Sequence, residues 1–196
     1  MLTHVYMVRH AESPFSPGQE EIRGLSERGW EDAKRVAERL KPEQIDVFIS
    51  SNYARALQTI EEAARQQSQA IIMEPRFRER ELASWDYRFA DFEQGIKQVF
   101  DNQSFAYPGG ESNEVARERG IAALKDVLDH HRGKKIGIGT HGNIMTIMMN
   151  HYDKQYDFAF WKKTTKPDIY KLSFDARERQ ALVGVIIQTI KKTPSP

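Results

Sequence analysis

At 196 residues, 39% of them hydrophobic and 29% charged, the chain can bury one ordinary core without staples, and a single domain over 1–196 is expected. Its 29 Lys plus Arg against 28 Asp plus Glu leave no basic field of the kind that points to a nucleic-acid partner. The absence of cysteine excludes disulfides, a thiolate nucleophile and cysteine-ligated zinc, and no apolar run approaches the ~18 residues of a membrane span.

The chain opens on Val5-Tyr6-Met7-Val8, a short run of β-favouring apolar residues that reads as a buried strand. A strand followed by polar loop is not the charged segment plus apolar stretch of a secretory signal, so the cytoplasm is the expected compartment and no membrane partner is expected. Pro14–Gly18 is a loop by its proline and glycine content. Leu25-Ser26-Glu27-Arg28-Gly29 then opens a helix, with Ser26 as its cap and Glu27 suited to the positive end of the helix dipole. Trp30, Ala33, Val36, Ala37 and Leu40 follow at helical spacing and predict an inward face, and Pro42 marks the stop.

Asp46–Ser51 predicts a second strand, followed by a helix carrying Arg55, with Leu57, Ile60 and Ala64 on its buried side. Ala70–Met73 predicts a third strand, ended by Pro75, and Arg76–Leu82 interleaves charge with apolar residues. A short helix around Phe92–Phe100 and a turn at Pro108-Gly109-Gly110 come next. The following helix starts at Glu111 or Ser112, buries Val115, Ile121, Leu124 and Leu128, and has Gly133 in its C′ position. Lys134–Thr140 predicts a strand, Ile144–Met149 a helix with the Met145, Met148 and Met149 side chains in the core. Asp168–Phe174 and Ala181–Ile190 predict final strands joined by the turn Asp175–Gln180, with Lys191–Pro196 a frayed tail. This alternation of strands and helices predicts an α/β three-layer sandwich on a mostly parallel central sheet with an antiparallel edge.

Chemistry concentrates where strands hand over to helices. Arg9-His10, Ser51 with Arg55, and Thr140-His141-Gly142 all lie at such junctions, and the carboxyl edges of a doubly wound sheet can converge on one crevice. Helix N-termini there add free backbone N–H groups, which with the arginines and histidines make a phosphate-sized positive pocket. Proton transfer needs a carboxylate as well, and Arg76–Leu82 offers Glu79 and Glu81. His4, His130, His131 and His151 lie outside these junctions, and the pair His130-His131 suits the terminal carbonyls of a helix.

The motifs resemble the histidine phosphatase superfamily, the phosphoglycerate mutase-like family. The pieces that carry the resemblance are Arg9-His10-Ala11-Glu12-Ser13, Leu25–Gly29, Ser50-Ser51 with Arg55–Thr59, Phe77-Arg78-Glu79, Pro108–Ser112 and Thr140-His141-Gly142, in the family's order. What the resemblance implies is a phosphoglycerate mutase-like fold and a two-step phosphoryl transfer with no cofactor and no metal. His10 would be the nucleophile, a neutral imidazole with its other nitrogen held by a hydrogen bond. Arg9, Arg55 and His141 would bind the phosphoryl oxygens, with Gly142 at the adjoining helix start and Ser16 where the family often has an asparagine. Glu79 would serve as general acid and then base, chosen over Glu81 because Phe-Arg-Glu followed six residues later by Trp85 fits the family pattern.

Departures from the family's commonest form are Ala11 for glycine, Ser16 for asparagine, a short loop before Leu25, and Ala83–Tyr87 in place of a Gly-x-Trp-Glu-Gly run. The segment between Glu79 and the Pro-Gly-Gly turn is brief for the lid of a glycolytic mutase, which favours a phosphomonoesterase acting on a small phosphorylated substrate. A mutase, or a phospho-ligand-binding regulatory protein without turnover, are the other expectations. Sugar phosphates, nucleotides and phosphoproteins all suit the open pocket this implies, with Arg88, Phe89, Phe105 and Tyr107 placed to meet them. Neither a helix nor an edge strand advertises an oligomer interface.

Overall fold

The computed structural model describes residues 1–175 and 181–189. Its centre is a six-stranded sheet built from β1 (Leu2–Arg9), β2 (Val47–Ser50), β3 (Ile71–Met73), β4 (Lys135–Thr140), β5 (Asp168–Asp175) and β6 (Ala181–Thr189), in the order β3-β2-β4-β1-β5-β6. The first four strands pair in parallel, while β5 runs antiparallel to both β1 and β6. The expected antiparallel edge is therefore present. Residues 176–180 of the expected turn, Ile190 and the tail 191–196 lie outside the described residues.

Because β1 is central, both of its faces are buried, which is why its sequence reads as a continuous apolar run rather than an alternating one. Successive side chains nonetheless go to opposite layers. Tyr6 and Val8 pack with Phe48 and Ile169 against α1 (Glu27–Leu40) and α2 (Ala54–Gln66). Val5 and Met7 pack with Ile49, Ile138 and Leu172 against α3 (Phe92–Asp101), α4 (Asn113–His130) and α5 (Gly142–Tyr152). The expected three-layer α/β sandwich is what forms, and all of Met145, Met148 and Met149 are core residues. A short α6 (Phe158–Lys163), which the sequence pattern did not announce, packs Phe158, Phe160 and Trp161 onto the same layer.

Three expected inward residues are placed otherwise. Trp30 is 42% exposed and Val115 53% exposed, and Leu57 is only half-buried. In α1 the buried stripe is Gly29, Asp32, Ala33, Val36, Ala37 and Leu40, and in α4 it runs from Asn113 and Ala116 through Gly120, Ala123 and Val127. The inward place at each helix start is thus held by a small residue, one position from the bulky one. On α2 the stripe runs Ala56, Thr59, Ile60, Ala63, Ala64, leaving Leu57 at its margin. Gly133 follows the His131 cap by two residues, with φ +75°, one place later than expected.

Ser26 caps α1 as expected, its hydroxyl accepting from the Gly29 N–H at 3.0 Å. The same turn clamps the loop after β1: the Ser26 N–H donates to the Glu12 carbonyl at 3.0 Å and its hydroxyl meets the Glu12 carboxylate at 2.8 Å. A Cβ on Gly29 would stand 2.2 Å from the Glu12 carbonyl oxygen, a backbone atom that cannot swing away. Gly29→Ala should therefore lower unfolding stability by about 2 kcal/mol, although alanine is worth about 1 kcal/mol more than glycine inside a helix. Urea melts test this, and an unchanged or higher midpoint would show that the loop and α1 are not packed this closely.

Candidate active site

Register brings the candidate residues together. Arg9 lies opposite Thr140 in the β1–β4 pair and Ser50 opposite Gly139 in the β2–β4 pair, so His10, His141 and Ser51 emerge from three adjacent strand ends. The His10 N–H donates to the Thr140 carbonyl at 3.0 Å, and the Ser51 N–H to the Gly139 carbonyl at 2.9 Å, extending the ladder one residue past each strand. His10 and His141 meet edge to face with ring centroids 5.3 Å apart, and both are nearly or wholly excluded from solvent.

Nδ1 of His10 lies 2.7 Å from the Ala11 carbonyl oxygen. A carbonyl only accepts, so Nδ1 carries the proton and Nε2 keeps its lone pair. Burial first, then the Arg55 cation, hold the His10 proton affinity well below the usual imidazole range, so the ring is neutral at pH 7. Ala11, the departure from glycine, is itself fixed: its N–H donates to the Thr59 hydroxyl at 2.9 Å, which donates in turn to the Arg55 carbonyl at 2.7 Å.

Arg9 is 8% exposed and Arg55 1% exposed. Arg9 donates to the Thr164 hydroxyl and lies on Gly142, where an added Cβ would come within 2.8 Å of the guanidinium carbon. Arg55 faces Glu20, donating to its carbonyl at 2.5 Å and pairing with its carboxylate at 3.0 Å, while its guanidinium lies 4.9 Å from the Tyr53 ring centroid. Arg23 holds the same Glu20 carboxylate through two bonds of 3.0 and 3.1 Å. Burial pulls Arg55 down to about 10, which leaves it charged at neutral pH.

His141 Nε2 sits 2.9 Å from the Ser51 hydroxyl, which also accepts the Tyr53 N–H at 3.2 Å. The Ser51 hydroxyl has a second lone pair as well as its own proton, so this contact is met with the His141 proton on either ring nitrogen. His141 Nδ1, together with Arg9 Nε and Arg55 Nε, is buried with no hydrogen-bond partner among the described residues. Buried polar atoms without partners on three neighbouring side chains are a set that an anion's oxygens suit. Burial first, then Arg55, also hold His141 well below the usual imidazole range.

Glu79 caps α5. One carboxylate oxygen accepts the N–H groups of Ile144 at 3.0 Å and Arg80 at 2.8 Å, and the other accepts the Asn143 N–H at 3.1 Å and its side-chain amide at 3.3 Å. Of the first N–H groups of α5, that leaves the one at Gly142 for an anion. The segment bearing Glu79 is stapled to α4 by Arg119, which donates to the carbonyls of Arg76, Arg78 and Glu79 and pairs with Glu111 at 2.6 Å. The Pro108–Ser112 motif thereby acts on the site through Glu111. Glu81, the other carboxylate weighed, is exposed, and its side chain makes no hydrogen bond among the described residues.

Several participants escaped sequence reasoning. Glu20, Arg23 and Thr164 reach Arg9 and Arg55 from loops with no motif of their own, and only their partners in three dimensions reveal them. Ser16 is half-buried in the loop, and its recorded bond is a carbonyl accepting from the Gln19 N–H at 3.1 Å, with no side-chain contact to the arginines or histidines. Phe89, Phe105 and Tyr107 form an aromatic cluster with Tyr87 and Phe92, while Arg88 donates to the carbonyls of Trp85 and Tyr87. His130 Nδ1 meets the Asp126 carbonyl at 2.6 Å near the end of α4, as its position suggested. Among the described residues, no three imidazole, thiol or carboxylate groups converge as a metal site would need.

Comparison with known proteins gives the same neighbourhood. A family profile described as the histidine phosphatase superfamily (branch 1) matches residues 5–184. A Photorhabdus laumondii protein named probable phosphoglycerate mutase GpmB is 32% identical over 152 residues, covering 72% of this chain and 70% of that one. Among solved structures, a mycobacterial glucosyl-3-phosphoglycerate phosphatase superposes with a TM-score of 0.75 at 18% identity, over 96% of this chain and 98% of its own. A phosphoglycerate mutase from Bacillus anthracis superposes with a TM-score of 0.71 at 13% identity, over 96% of this chain and 92% of its own.

The buried neutral histidines make stability depend on pH. Both bind a proton more weakly folded than unfolded, so their contribution is full above about pH 6.5 and is lost as pH falls toward the lowered folded values. Each supplies at most about 1.4 kcal/mol per pH unit. Between pH 7.5 and 5.5 the native chain should lose roughly 2 kcal/mol more than the double variant His10→Asn, His141→Asn in urea melts. Equal losses in the two chains would place the acid sensitivity elsewhere.

Proposed function

The chain belongs to the histidine phosphatase superfamily, and on that footing we propose that it is a metal-independent phosphomonoester hydrolase working through a phosphohistidine on His10. The observation that carries the reading is a trio of buried polar atoms without partners among the described residues, Arg9 Nε, Arg55 Nε and His141 Nδ1, beside an imidazole whose Nε2 keeps its lone pair. Guanidinium groups supply the positive charge that a phosphoryl transition state needs, which is why no metal or cofactor enters the proposal. The six-stranded sheet, which includes both β1 and β6, supports one domain over the whole chain, and the cytoplasm is its proposed compartment. No helix among the described residues is long and apolar enough to cross a membrane.

In the first step Nε2 of His10 attacks phosphorus as the bond to the alcohol oxygen breaks. The electron pair leaves with that oxygen, which takes a proton from Glu79. Arg9, Arg55, His141 and the Gly142 N–H hold the non-bridging oxygens, with the Ser16 hydroxyl an added donor from the loop. In the second step water attacks phosphorus, gives its proton to Glu79 and restores His10. A transfer to a second hydroxyl in place of water is the alternative, favoured by the mutase name of the Photorhabdus relative.

Hydrolysis of p-nitrophenyl phosphate in excess chelator should persist in the native chain and fall about a thousandfold or more in His10→Ala. Activity that needs added metal, or that survives the substitution, would defeat the proposal, and faster transfer to an added alcohol than to water would favour the mutase alternative. A separate expectation concerns Glu79→Gln. It should slow hydrolysis of alkyl phosphates by about 10²–10⁴-fold while sparing the acidic p-nitrophenol leaving group in the first step. Equal slowing of phosphoenzyme formation from both substrates would remove Glu79 from the acid role.

A further inference from the structure

The loop that leads into β5 carries a cation the hydrolase chemistry does not use. Thr164 receives the Arg9 guanidinium, and β5 begins at Asp168, directly opposite Arg9 in the sheet, so the intervening residues run along the rim of the pocket. Lys166 sits in this stretch. It is exposed, whereas Arg9, Arg55, His10 and His141 are buried beneath. Among the described residues its ammonium makes no hydrogen bond and no ion pair.

The carboxylate two residues on and those of the candidate site are already engaged. Asp168 accepts from the Thr165 N–H at 2.5 Å, the Thr165 hydroxyl at 2.6 Å and the Tyr170 hydroxyl at 2.9 Å. Glu79 is held by the start of α5, and Glu20 by Arg23 and Arg55. Enough protein surrounds the Lys166 ammonium that desolvation, then Arg9 and Arg23, weaken its hold on a proton, while Glu79 strengthens it. A lysine kept unpaired against arginines is repelled until an anion arrives between them. Exposed above buried arginines, on a loop tied to Arg9 through Thr164 and Asp168, the lysine stands on the solvent side of the phosphoryl-binding groups, the side from which the alcohol part of an ester would project.

We propose that Lys166 is a specificity residue that binds a second anionic group, a carboxylate or a further phosphate, on the alcohol portion of the substrate. The inference rests on the hydrolase reading for its orientation of the ester, so its test uses binding rather than turnover. The probes are 3-phosphoglycerate and glycerol 3-phosphate, which differ by a carboxylate in place of a hydroxymethyl group. Calorimetry on the His10→Ala chain, with folding checked by circular dichroism, should show the carboxylate ligand binding about five- to tenfold more tightly. Adding Lys166→Gln should abolish that preference and leave glycerol 3-phosphate affinity within about twofold, while Lys166→Arg should preserve it.

Loss of both affinities by equal factors in Lys166→Gln would make the lysine a phosphoryl ligand and overturn the proposal. So would equal binding of the two probes, or binding of neither, to the folded His10→Ala chain. The same ratio read as kcat/KM in Lys166→Gln with His10 intact gives a second measurement that does not depend on the His10 variant. Because p-nitrophenyl phosphate carries no second anion, its hydrolysis is indifferent to Lys166, and the two readings can fail separately.

Discussion

Two guanidinium groups held almost out of water at the carboxyl edge of the sheet set the terms for everything around them. A buried cation is costly unless hydrogen-bonded and faced by negative charge, and Arg9 and Arg55 each retain a buried Nε without a partner among the described residues. The surroundings are shaped to that demand. Gly142 is bare so that Arg9 can lie against the start of α5, Thr164 comes in from the β5 loop, and Glu20 folds down onto Arg55. Their charge and the dryness of the pocket also keep His10 and His141 neutral, so Nε2 of His10 holds its lone pair without a base to deprotonate it.

The position of these groups is a matter of register rather than of loop conformation. Residues one past the ends of β1, β2 and β4 face each other because the strands are parallel neighbours in matching register, and the sheet is packed on both faces by the two apolar layers. What loops contribute is restraint. Thr59 fixes the Ala11 amide, Gln58 accepts the Leu25 N–H at 2.9 Å, and Arg119 fastens the Glu79 segment by its carbonyls. Motif residues without obvious chemistry, Gln58, Thr59 and Glu111 among them, serve the site in this way.

How far the sequence was legible follows from the range of each interaction. Strands and helices showed through local periodicity, and the junction residues Arg9, His10, Arg55 and His141 stood out because charge at the end of an apolar strand is locally anomalous. Trp30 and Val115 misled because helical spacing leaves a stripe's edge uncertain by one place: the Glu12 carbonyl packed on Gly29 fixes it in α1, and in α4 Ala116 takes the buried place beside Val115. Lys166, Glu20 and Arg23 were illegible for a different reason. Nothing in their own neighbourhoods distinguishes them from ordinary surface charges, and their significance comes from residues far away along the chain. The helix-capping geometry of Glu79 was hidden for the same reason, since α5 lies some sixty positions downstream.

Glu20 gives the pocket an occupant of its own. Its loop is tied to the start of α2, where the Ala54 N–H donates to the Glu21 carbonyl at 2.9 Å and the Asn52 amide to the Glu21 carboxylate at 2.6 Å, so the Glu20 carboxylate is held at high effective concentration beside Arg55. Any anion that engages the Arg55 amino groups must first take them from this tethered competitor. Its apparent affinity is then the intrinsic one scaled by the fraction of molecules in which Glu20 has let go. On the proposed function, Glu20 is a competitor built into the chain, one that a phosphorylated ligand displaces from Arg55 and that returns when the ligand leaves.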